Sequence, residues 1–484
     1  MKLEELKHKK ILILGFGREG KDNYLALRKL FPKKILAIAD RMELEELPKK
    51  IQRSLRFDKK LKLYFGKDYL KALKKYDLII KTPGIPLKTI KPFLKKGQRM
   101  TSQTEIFFDN CPGIIVGVTG TKGKGTTCSL IYKILKRGRL KVHLVGNIGK
   151  PVFQILLRAK RNEIFVYELS SHQLQSLKKS PQIAVFLNLY PAHLDFFGSF
   201  SEYKKAKENI LKWQNNDDFL LYNVDQKILR ELAKKSRAKK LPFTLKSKLI
   251  YRKRSLYSCY FKGGWIFCQR EKIISQKEIS LKGKFNLLNV MAAVLVGKIF
   301  TIPVKKIREA IKSFKPLPHR LEFVGKYKGI EFYNDSLATV PQSTIAALEG
   351  LGERIESLIL GGSETGANFS SLAKKILETK IRNLIFLSPG SGEEIWRAIQ
   401  KTYRKIKNLK KKKLPKAIFV FPLKKQNSPQ SSGVMKEAVK KAYQITTKGK
   451  ICLLSPASPS FNLFSDYKQR GNLFKKFVKK YGRK

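Results

Sequence analysis

The sequence has few acidic residues, few cysteines and no long apolar run, and each shortage narrows the class of protein. Aspartate and glutamate number 37 against 102 lysines and arginines, which leaves a formal net charge of +65. No apolar run reaches the ~18 residues that a membrane-spanning helix requires. The first apolar run, residues 11–14, is too short for the core of a secretory signal peptide. We therefore expect no membrane insertion and a cytoplasmic location.

The few cysteines point to the same compartment. An odd number of dispersed cysteines without a CxxC pair, in a chain of this length, is typical of proteins kept in a reducing environment. The five positions are Cys111, Cys128, Cys259, Cys268 and Cys452. The cysteine pattern thus favours the cytoplasm.

The excess of basic residues indicates affinity for anions such as nucleotides, nucleic acids or acidic lipid head groups. The lysines are spread over the whole chain, with one dense run at Lys410–Lys413. No recognisable DNA- or RNA-binding motif accompanies them, and we expect no specific nucleic-acid partner. Two explanations stay open, a compositional bias of the source organism and a real polyanion-binding surface.

Strand-like and helix-like segments alternate along almost all of the 484 residues, which predicts parallel sheets covered by helices. The predicted fold class is α/β, with three domains at residues 1–110, 111–316 and 317–484. Within the second domain, residues 238–283 alternate between apolar and polar, which predicts antiparallel strands beside the main sheet. In the third domain, strands are predicted at residues 331–334, 357–362, 383–388, 417–421 and 451–455.

A glycine-rich turn follows the first predicted strand, with Gly15, Gly17 and Gly20 in the spacing GxGxxG. Asp40 lies about twenty residues further on, as in the dinucleotide-binding fingerprint. Glycines at this turn let the backbone approach a pyrophosphate at the start of a helix. A nicotinamide dehydrogenase is one interpretation, and a site for the pyrophosphate of a UDP-sugar is another. A turn that serves packing alone is a third.

A second glycine-rich loop, GVTGTKGKGTT at residues 117–127, lies between a predicted strand and a predicted helix. Backbone N–H groups in such a loop bind phosphate oxygens, and Lys124 is positioned to bridge the terminal phosphates. Gly125 stands where the Walker sequence has Ser or Thr, so Thr126 is the expected magnesium-binding hydroxyl. The predicted ATP-binding residues here are Gly120, Thr121, Lys122, Gly123, Lys124, Gly125, Thr126 and Thr127.

This loop and seven further motifs resemble those of the Mur ligase and folylpolyglutamate synthase superfamily. The motifs are GNIG, YELSSHQL, the HLD at His193, LPHRLE, YNDSLAT, LGG and LLSPASPSF, in that order along essentially the whole chain. The resemblance implies a three-domain Mur ligase-like fold: a Rossmann-like UDP-sugar-binding domain, a P-loop-type ATPase domain and a Rossmann-like domain for the incoming amino acid.

Within the superfamily, the N-terminal GxGxxG, TPGIP at residues 82–86, and QRG at residues 469–471 most resemble the D-glutamate-adding branch. That resemblance implies a monomer that joins D-glutamate to UDP-N-acetylmuramoyl-L-alanine during peptidoglycan precursor synthesis. It also implies ATP and one or two Mg²⁺ as cofactors, and an acyl-phosphate intermediate. Two alternatives stay open: another amide ligase of the superfamily, for a different amino acid or for folate, and a basic polyanion-binding protein.

The resemblance assigns catalytic roles to four residues: Lys124, Glu168, His193 and Lys207. Glu168 ends a predicted strand and, with Thr126 and His193, is a candidate metal ligand. Lys207 lies on a predicted helix capped by Ser201, on the side of its apolar stripe. Its ammonium could extend to solvent. Alternatively, burial lowers its pKa and the neutral amine reacts with CO₂, giving a carbamate that binds the second metal ion.

Further contacts are implied only by the resemblance. For the nucleotide these are Asn289, Arg320 and Asp335. For the UDP-muramoyl substrate they are Gly17, Arg18, Glu19, Asp40, Gly84, Asn147, Ser170, Gln173 and His193. For D-glutamate they are Thr339, Ser460 and Tyr467. His8, His143 and His172 are interpreted as ordinary structural histidines.

The sequence departs from the family pattern at four positions. Ala192 replaces an acidic residue and Phe285 replaces a histidine. Leu337 and Thr365 stand where family members often have lysines, which help to hold phosphate or the amino-acid carboxylate. Because two cations are missing from an anion site, these two replacements affect the choice of amino acid more than the ligase chemistry.

Overall fold

A computed structural model describes residues 1–247, 258–364, 366–405, 413–422 and 430–483. Parallel strands alternate with helices along most of the chain, which confirms the predicted α/β class. The chain forms two compact units, Met1–Glu278 with Leu287–Ser313, and Ile279–Asn286 with Phe314–Lys484. The predicted domain limits at residues 110 and 316 stay predictions. Thr365 and residues 410–412 lie outside the described residues.

The first sheet has five parallel strands in the order β3-β2-β1-β4-β5. Strands β1 and β4 are buried on both faces, as their unbroken apolar sequences predict. The order reverses at β1, so a ligand crevice is expected beyond its carboxyl end, where the GxGxxG turn lies. The strands are β1 (Ile11–Leu14), β2 (Leu36–Asp40), β3 (Leu61–Phe65), β4 (Leu78–Lys81) and β5 (Arg99–Thr101); the α-helices are Arg18–Leu30, Lys49–Phe57, Leu87–Ile90 and Gln103–Asn110, and the 3₁₀ helices are Glu4–Leu6, Leu44–Glu46, Tyr69–Lys75 and Lys91–Phe93.

The second sheet belongs to the same unit and has nine strands among the described residues, in the order β14-β13-β12-β11-β10-β9-β6-β8-β7. Strands β12, β13 and β14 pair antiparallel, which confirms the prediction for that part of residues 238–283. The prediction was wrong for residues 239–244, because β11 pairs parallel with β10 and β12 and continues the main sheet. Residues 248–257 lie outside the described ranges. The strands are β6 (Ile114–Thr119), β7 (Val142–Gly146), β8 (Ile164–Glu168), β9 (Ile183–Phe186), β10 (Phe219–Asn223), β11 (Lys239–Thr244), β12 (Cys259–Lys262), β13 (Trp265–Cys268) and β14 (Glu271–Ser275). The α-helices are Lys124–Arg137, Phe153–Leu156, Ser171–Leu174, Leu194–Phe197, Phe200–Lys212, Lys227–Lys234, Lys284–Ile299 and Val304–Lys312, and a 3₁₀ helix is Gln276–Glu278.

The first two sheets share one hydrophobic core. Phe107, on the last helix of the first sheet, packs edge-on against Phe165 and Tyr167 of β8, with ring centroids 5.3 and 5.6 Å apart. Edge-to-face aromatic pairs of this kind stabilise a packed interface beyond the area they bury. The GxGxxG turn and the glycine-rich loop at residues 117–127 therefore lie in one compact unit.

The cysteine pattern gave an incomplete prediction. Cys259 and Cys268 lie directly opposite each other on β12 and β13 and form a disulfide. The turn at Gly263–Gly264, where both φ angles are positive, brings these residues together across the hairpin. Cross-strand neighbours depend on register, which spacing in the sequence did not reveal. This pair removes the cysteine argument for a reducing compartment.

The third sheet, in the second unit, has six strands among the described residues, in the order β15-β16-β20-β17-β18-β19. All five predicted strands are present, and β15, which pairs antiparallel with β16, was missed because its residues are only partly buried. The strands are β15 (Glu322–Tyr327), β16 (Ile330–Asn334), β17 (Ile355–Leu360), β18 (Asn383–Leu387), β19 (Lys416–Val420) and β20 (Ile451–Leu454). The α-helices are Pro341–Leu351, Ser370–Glu378, Ser391–Lys405, Gln430–Ile445 and Tyr467–Gly482, and a 3₁₀ helix is Gly352–Arg354. No helix in the described ranges is long and apolar enough to cross a membrane.

The helix that carries Lys207 spans Phe200–Lys212, and the prediction of its cap was wrong by two residues. Ser199, with extended backbone, is the N-cap, and its hydroxyl accepts a hydrogen bond from the Glu202 N–H at 3.2 Å. Ser201 is already inside the helix. A serine two residues earlier fits better because the cap must precede the first helical residue.

We expect the substitution Ser199→Ala to lower the free energy of unfolding by about 1 kcal/mol, since it removes this N-cap. Ser201→Ala, the matched control, removes an exposed serine hydroxyl and should change stability by less than about 0.5 kcal/mol. Urea unfolding followed by circular dichroism measures both variants. Equal losses in the two variants would contradict the assignment of Ser199 as the cap.

Candidate active site

The ATP loop runs from the carboxyl end of β6 into the helix Lys124–Arg137. The Lys124 ammonium donates to the carbonyls of Gly120 at 2.9 Å and Thr121 at 3.2 Å, so it is held over the loop. Thr126 and Thr127 are buried in the first turn of the helix. The first N–H groups of a helix, together with its dipole, bind phosphate, and the lysine adds a full positive charge beside them. The predicted loop residues are thus brought together in one phosphate-binding arrangement.

Asn188, which sequence reasoning missed, holds this loop in shape. It follows β9, and its side chain accepts from the Lys122 N–H at 2.8 Å and donates to the Lys122 carbonyl at 3.0 Å. The hydroxyls of Thr121 and Tyr203 are hydrogen-bonded at 3.0 Å. The sequence did contain a signal for Asn188, since it is a polar residue just after a buried strand. The carboxyl ends of parallel strands meet at one edge of the sheet, where the ATP loop also begins.

Gly123 is required by the geometry of the loop. Its φ is +86°, and a Cβ atom built on it would lie 2.4 Å from Asn289 Oδ1. Asn289 is 3% exposed and accepts a hydrogen bond from the Thr127 hydroxyl at 3.2 Å. Asn289, predicted as a nucleotide contact, therefore also braces the ATP loop.

We expect Gly123→Ala to weaken ATP binding at least tenfold, because the added methyl must displace Asn289 and the loop with it. Gly198→Ala is the matched control. It has a similar φ of +77° but no atom within 4 Å of the new Cβ, so it carries the backbone strain without the clash. Isothermal titration with ATP and thermal unfolding of both variants separate the two effects. Equal ATP affinity in the two variants would contradict the steric argument.

Glu168 is the last residue of β8 and lies between Val118 of β6 and Gly146 of β7 in the strand register. It is 7% exposed, and its carboxylate interacts electrostatically with Lys207. Magnesium takes oxygen ligands and is commonly held by only one or two carboxylates with phosphates and waters. The Thr126 hydroxyl and the Glu168 carboxylate fit that donor set. No cluster of three or more His, Cys, Asp or Glu residues that could hold a metal occurs within the described ranges.

Lys207 is buried rather than extended toward solvent, which excludes the first of the two interpretations given for it. Its side chain is 1% exposed, and its ammonium donates to Thr119 Oγ1 at 3.1 Å and to the Gly120 carbonyl at 3.0 Å. Lys124 donates to the same Gly120 carbonyl. Burial, and then the charge of Lys124, hold the pKa of Lys207 well below its usual range. A neutral amine at this place is chemically a nucleophile.

His193 lies close to the same cluster. Its side chain is exposed, its φ is +54°, and its ring is 6.1 Å from that of Tyr203. The Tyr203 ring is in turn 5.2 Å from the Lys207 ammonium. His172, interpreted as structural, contacts the His193 ring edge-on at 5.0 Å and the Phe196 ring at 4.2 Å. The two predicted candidates for a second metal ion thus flank one tyrosine.

Two of the three glycines in the GxGxxG turn are required by close packing, and the third has free space around the position of a Cβ atom. A Cβ at Gly15 would lie 2.0 Å from Thr82 Oγ1, and one at Gly20 would lie 2.0 Å from the Gly15 carbonyl. At Gly17 nothing lies within 4 Å. Asp40 accepts from the Phe16 N–H at 2.5 Å, so it holds the turn itself. Gly84 is also open on its Cβ side.

Arg18 and Glu19 connect this turn to the loops of the second sheet. Arg18 donates to the carbonyls of Asn147, at 3.4 Å, and Gly149. Glu19 accepts from Gln173 Nε2 at 2.7 Å, and Gln173 forms a capping box with Ser170. Burial raises the pKa of Glu19 to about 7. The predicted muramoyl contacts of the two sheets are therefore linked.

In the second unit, Asp335 follows β16 and is buried. Its carboxylate accepts from the Leu321 N–H at 3.1 Å and the Ser455 hydroxyl at 3.0 Å. Ser460 is 2% exposed in the loop after β20. The remaining predicted residues of this unit, Arg320, Thr339 and Tyr467, are partly exposed, and the Tyr467 ring packs edge-on against His319 at 5.8 Å.

Comparison with known proteins gives matches along nearly the whole chain. The family models of the Mur ligase middle domain and the Mur ligase glutamate ligase domain match residues 118–297 and 319–458. The chain is 32% identical to UDP-N-acetylmuramoylalanine–D-glutamate ligase of Thermoanaerobacter sp. (strain X514), over 98% of this chain and 99% of that protein. It is 33% identical to the protein of the same name from Clostridium kluyveri, over 98% and 97%.

Solved structures share the fold at low sequence identity. A pseudomurein peptide ligase type C from Methanothermus fervidus superposes with a TM-score of 0.58 and 19% identity, over 97% of this chain and all of that one. The MurF ligase from Thermotoga maritima in complex with ADP gives 0.53 and 16%, over 99% and 98%. These likenesses concern the arrangement of sheets and helices.

Proposed function

Since this chain belongs to the Mur ligase family, a family of ATP-dependent amide-forming ligases, we propose that it joins D-glutamate to UDP-N-acetylmuramoyl-L-alanine. The observation that carries the ligase chemistry is the cluster of Lys124, Glu168 and Lys207 at one edge of the second sheet. The choice of substrates rests on the full-length similarity to proteins named for that reaction. We further propose that the protein acts as a monomer in the cytoplasm.

The reaction must bring two anions together, a carboxylate and a triphosphate, so positioning and charge neutralisation dominate catalysis. The helix start and Lys124 bind the phosphates, and the substrate carboxylate attacks the γ-phosphorus, with ADP as the leaving group. The amine of D-glutamate then attacks the acyl phosphate, and phosphate leaves with formation of the amide. Lys124 neutralises charge that develops on the transferred phosphoryl group.

Magnesium, when bound, would further neutralise the phosphate charge, and Thr126 with Glu168 are the residues proposed to hold it. Lys207 is proposed to react with CO₂ as a neutral amine, losing one proton and becoming an N-carboxylate. This change converts a buried neutral amine beside Lys124 into an anion. Glu168 and His193 lie at the same edge of the sheet.

The other proposed contacts follow the two units of the structure. In the first unit, Gly17, Arg18, Glu19, Asp40, Gly84, Asn147, Ser170 and Gln173 are proposed to contact or to support the UDP-muramoyl substrate. In the second unit, Arg320 and Asp335 are proposed nucleotide contacts, and Thr339, Ser460 and Tyr467 are proposed contacts of the amino acid. Leu337 and Thr365, which stand where family members often have lysines, are proposed to affect the choice of amino acid.

The test is a coupled ADP-release assay with UDP-N-acetylmuramoyl-L-alanine and a panel of amino acids: D-glutamate, L-glutamate, L-lysine and meso-diaminopimelate. We expect turnover with D-glutamate only, and none when either acceptor or amino acid is omitted. Turnover with another amino acid alone would overturn the specificity but keep the ligase chemistry. Salt-sensitive binding to arbitrary DNA without any ADP release would favour the polyanion-binding alternative.

A further inference from the structure

Arg470 is a fully buried arginine in the first turn of the helix Tyr467–Gly482. Among the residues that the structure describes, its guanidinium donates to backbone carbonyls and one serine hydroxyl. The acceptors are Ser336 Oγ at 3.1 Å, the carbonyls of Ser336 at 2.8 Å, Ser458 at 3.1 Å, Pro459 at 3.2 Å and Gly361 at 3.4 Å. All of these belong to the second unit.

No carboxylate within the described ranges forms an ion pair with Arg470. Burial alone lowers the pKa of its guanidinium to about 9. A buried cation without a counter-ion is costly and persists only when oxygen dipoles satisfy its donors. The planar guanidinium carries five N–H donors in a fixed geometry, against three on an ammonium, and can therefore join more acceptors.

The three loops that Arg470 joins follow β16, β17 and β20, which are neighbours in the sheet. Ligand sites of parallel sheets lie at this end of the strands. Ser336 adjoins Asp335, and Pro459 adjoins Ser460. The Ser336 hydroxyl also donates to the Tyr467 carbonyl at 2.8 Å. Arg470 therefore contacts the immediate neighbours of the proposed nucleotide and amino-acid contacts.

The loop after β20 requires such support because its backbone is strained. Ala457 is buried with a φ of +63°, a left-handed conformation that is unfavourable for a residue with a side chain. The packing around it leaves no room: a Cβ at Gly362 would lie 1.9 Å from the Pro459 carbonyl and 3.0 Å from Arg470 Nη1. Strained backbone persists where surrounding contacts hold it in place.

The residue after Arg470 has a related role. A Cβ at Gly471 would lie 2.2 Å from His319 Nδ1, so only glycine lets the His319 ring pack against this helix. His319 has a φ of +64° and adjoins Arg320, one of the proposed nucleotide contacts. The pair Arg470–Gly471 thus arranges four loops around one helix end.

We propose that Arg470 is a positioning residue that sets the loops carrying Asp335 and Ser460 at the separation needed to bind nucleotide and amino acid. This inference rests on the proposed function for the identity of the ligands. Arg470 itself is covered by the loops, so it acts through Ser336, Ser458 and Pro459 and does not touch the substrates.

The test compares Arg470→Met and Arg470→Lys with Phe474→Leu. Phe474 lies one turn further along the same helix and is equally buried, but it packs into the core near Phe332. At temperatures well below each Tm, we expect Arg470→Met to raise the KM for ATP and D-glutamate at least tenfold, with Arg470→Lys intermediate. Phe474→Leu should lower Tm and leave both KM values within twofold of wild type.

Hydrogen exchange gives a readout that does not depend on turnover. We expect faster exchange in peptides covering residues 336–340 and 455–463 of Arg470→Met, and unchanged exchange there in Phe474→Leu. The inference is overturned if Arg470→Met has the same KM values and the same exchange rates as the wild type. It is also overturned if Arg470→Met and Phe474→Leu raise KM equally. Failure of the wild-type protein to use D-glutamate would instead overturn the proposed substrate, and the exchange comparison would still decide the role of Arg470.

Discussion

The substitution Lys124→Met is expected to lower kcat by about 10³-fold, with little change in stability. A methionine keeps an unbranched side chain of similar shape, one atom shorter, but removes the charge that neutralises the transferred phosphoryl group. Loss of one such electrostatic group costs on the order of 10²–10³ in rate, and more where phosphoryl transfer depends on a single cation. The two carbonyls that the ammonium contacts, those of Gly120 and Thr121, are partly exposed or shared with other donors, so folding should persist.

The measurement is ADP release under saturating substrates, together with ATP titration. Lys136→Met is the matched control, because Lys136 is exposed at the far end of the same helix. It should retain wild-type kcat. If Lys124→Met keeps more than a tenth of the wild-type rate, the loop does not carry the chemistry that we assign to it.

The substitution Lys207→Met is expected to abolish turnover and yet to stabilise the fold at neutral pH. The pKa of the buried amine is far below its usual value. At a pH between the pKa of Lys207 in the folded protein and its pKa in the unfolded chain, the unfolded chain therefore binds one more proton than the folded protein. Stability of the wild-type protein must therefore rise with pH across that window, up to about pH 10. Methionine removes this proton uptake, so the stability gain of the variant should be larger at pH 7 than at pH 10.

Urea unfolding at pH 7 and pH 10 in CO₂-free buffer measures this difference. Lys205→Met is the control, since Lys205 is exposed on the same helix and pairs only with the exposed Glu202. If the stability of Lys207→Met changed with pH in the same way as that of the wild type, the buried amine would not be the cause of that pH dependence.

The carbamate itself has a separate test. Wild-type turnover should fall when CO₂ is removed and recover on addition of bicarbonate, because the modification is reversible. Lys205→Met should respond as the wild type does. Turnover that is insensitive to CO₂ would mean that Lys207 acts as an unmodified amine.

Much of the site was predictable because its signals are local. The glycine-rich ATP loop is a contiguous segment between a strand and a helix, and Glu168 ends a strand whose apolar sequence is unbroken. The strands of the third sheet were found for the same reason, except β15, whose mixed burial gives no clear period. Local pattern decides which segments form strands and which strand ends carry polar side chains.

The rest depended on residues distant in sequence. Asn188 holds Lys122 across 66 positions, and Arg470 joins Ser336 across 134. Lys207 was ambiguous from its helix alone, since the stripe on which it lies could either bury the ammonium or lead it to solvent. Only the placement of Thr119 and Gly120 against that helix decided for burial.

The sequence by itself determined the α/β class, the ATP loop and the order of the family motifs, because these are properties of short segments and of their succession. The tertiary structure decided the Cys259–Cys268 pair, the buried state of Lys207 and the loops around Arg470. Each of these depends on which strands and helices become neighbours. Burial and hydrogen-bond partners, which set charge state and position, are defined only once those neighbours are in place.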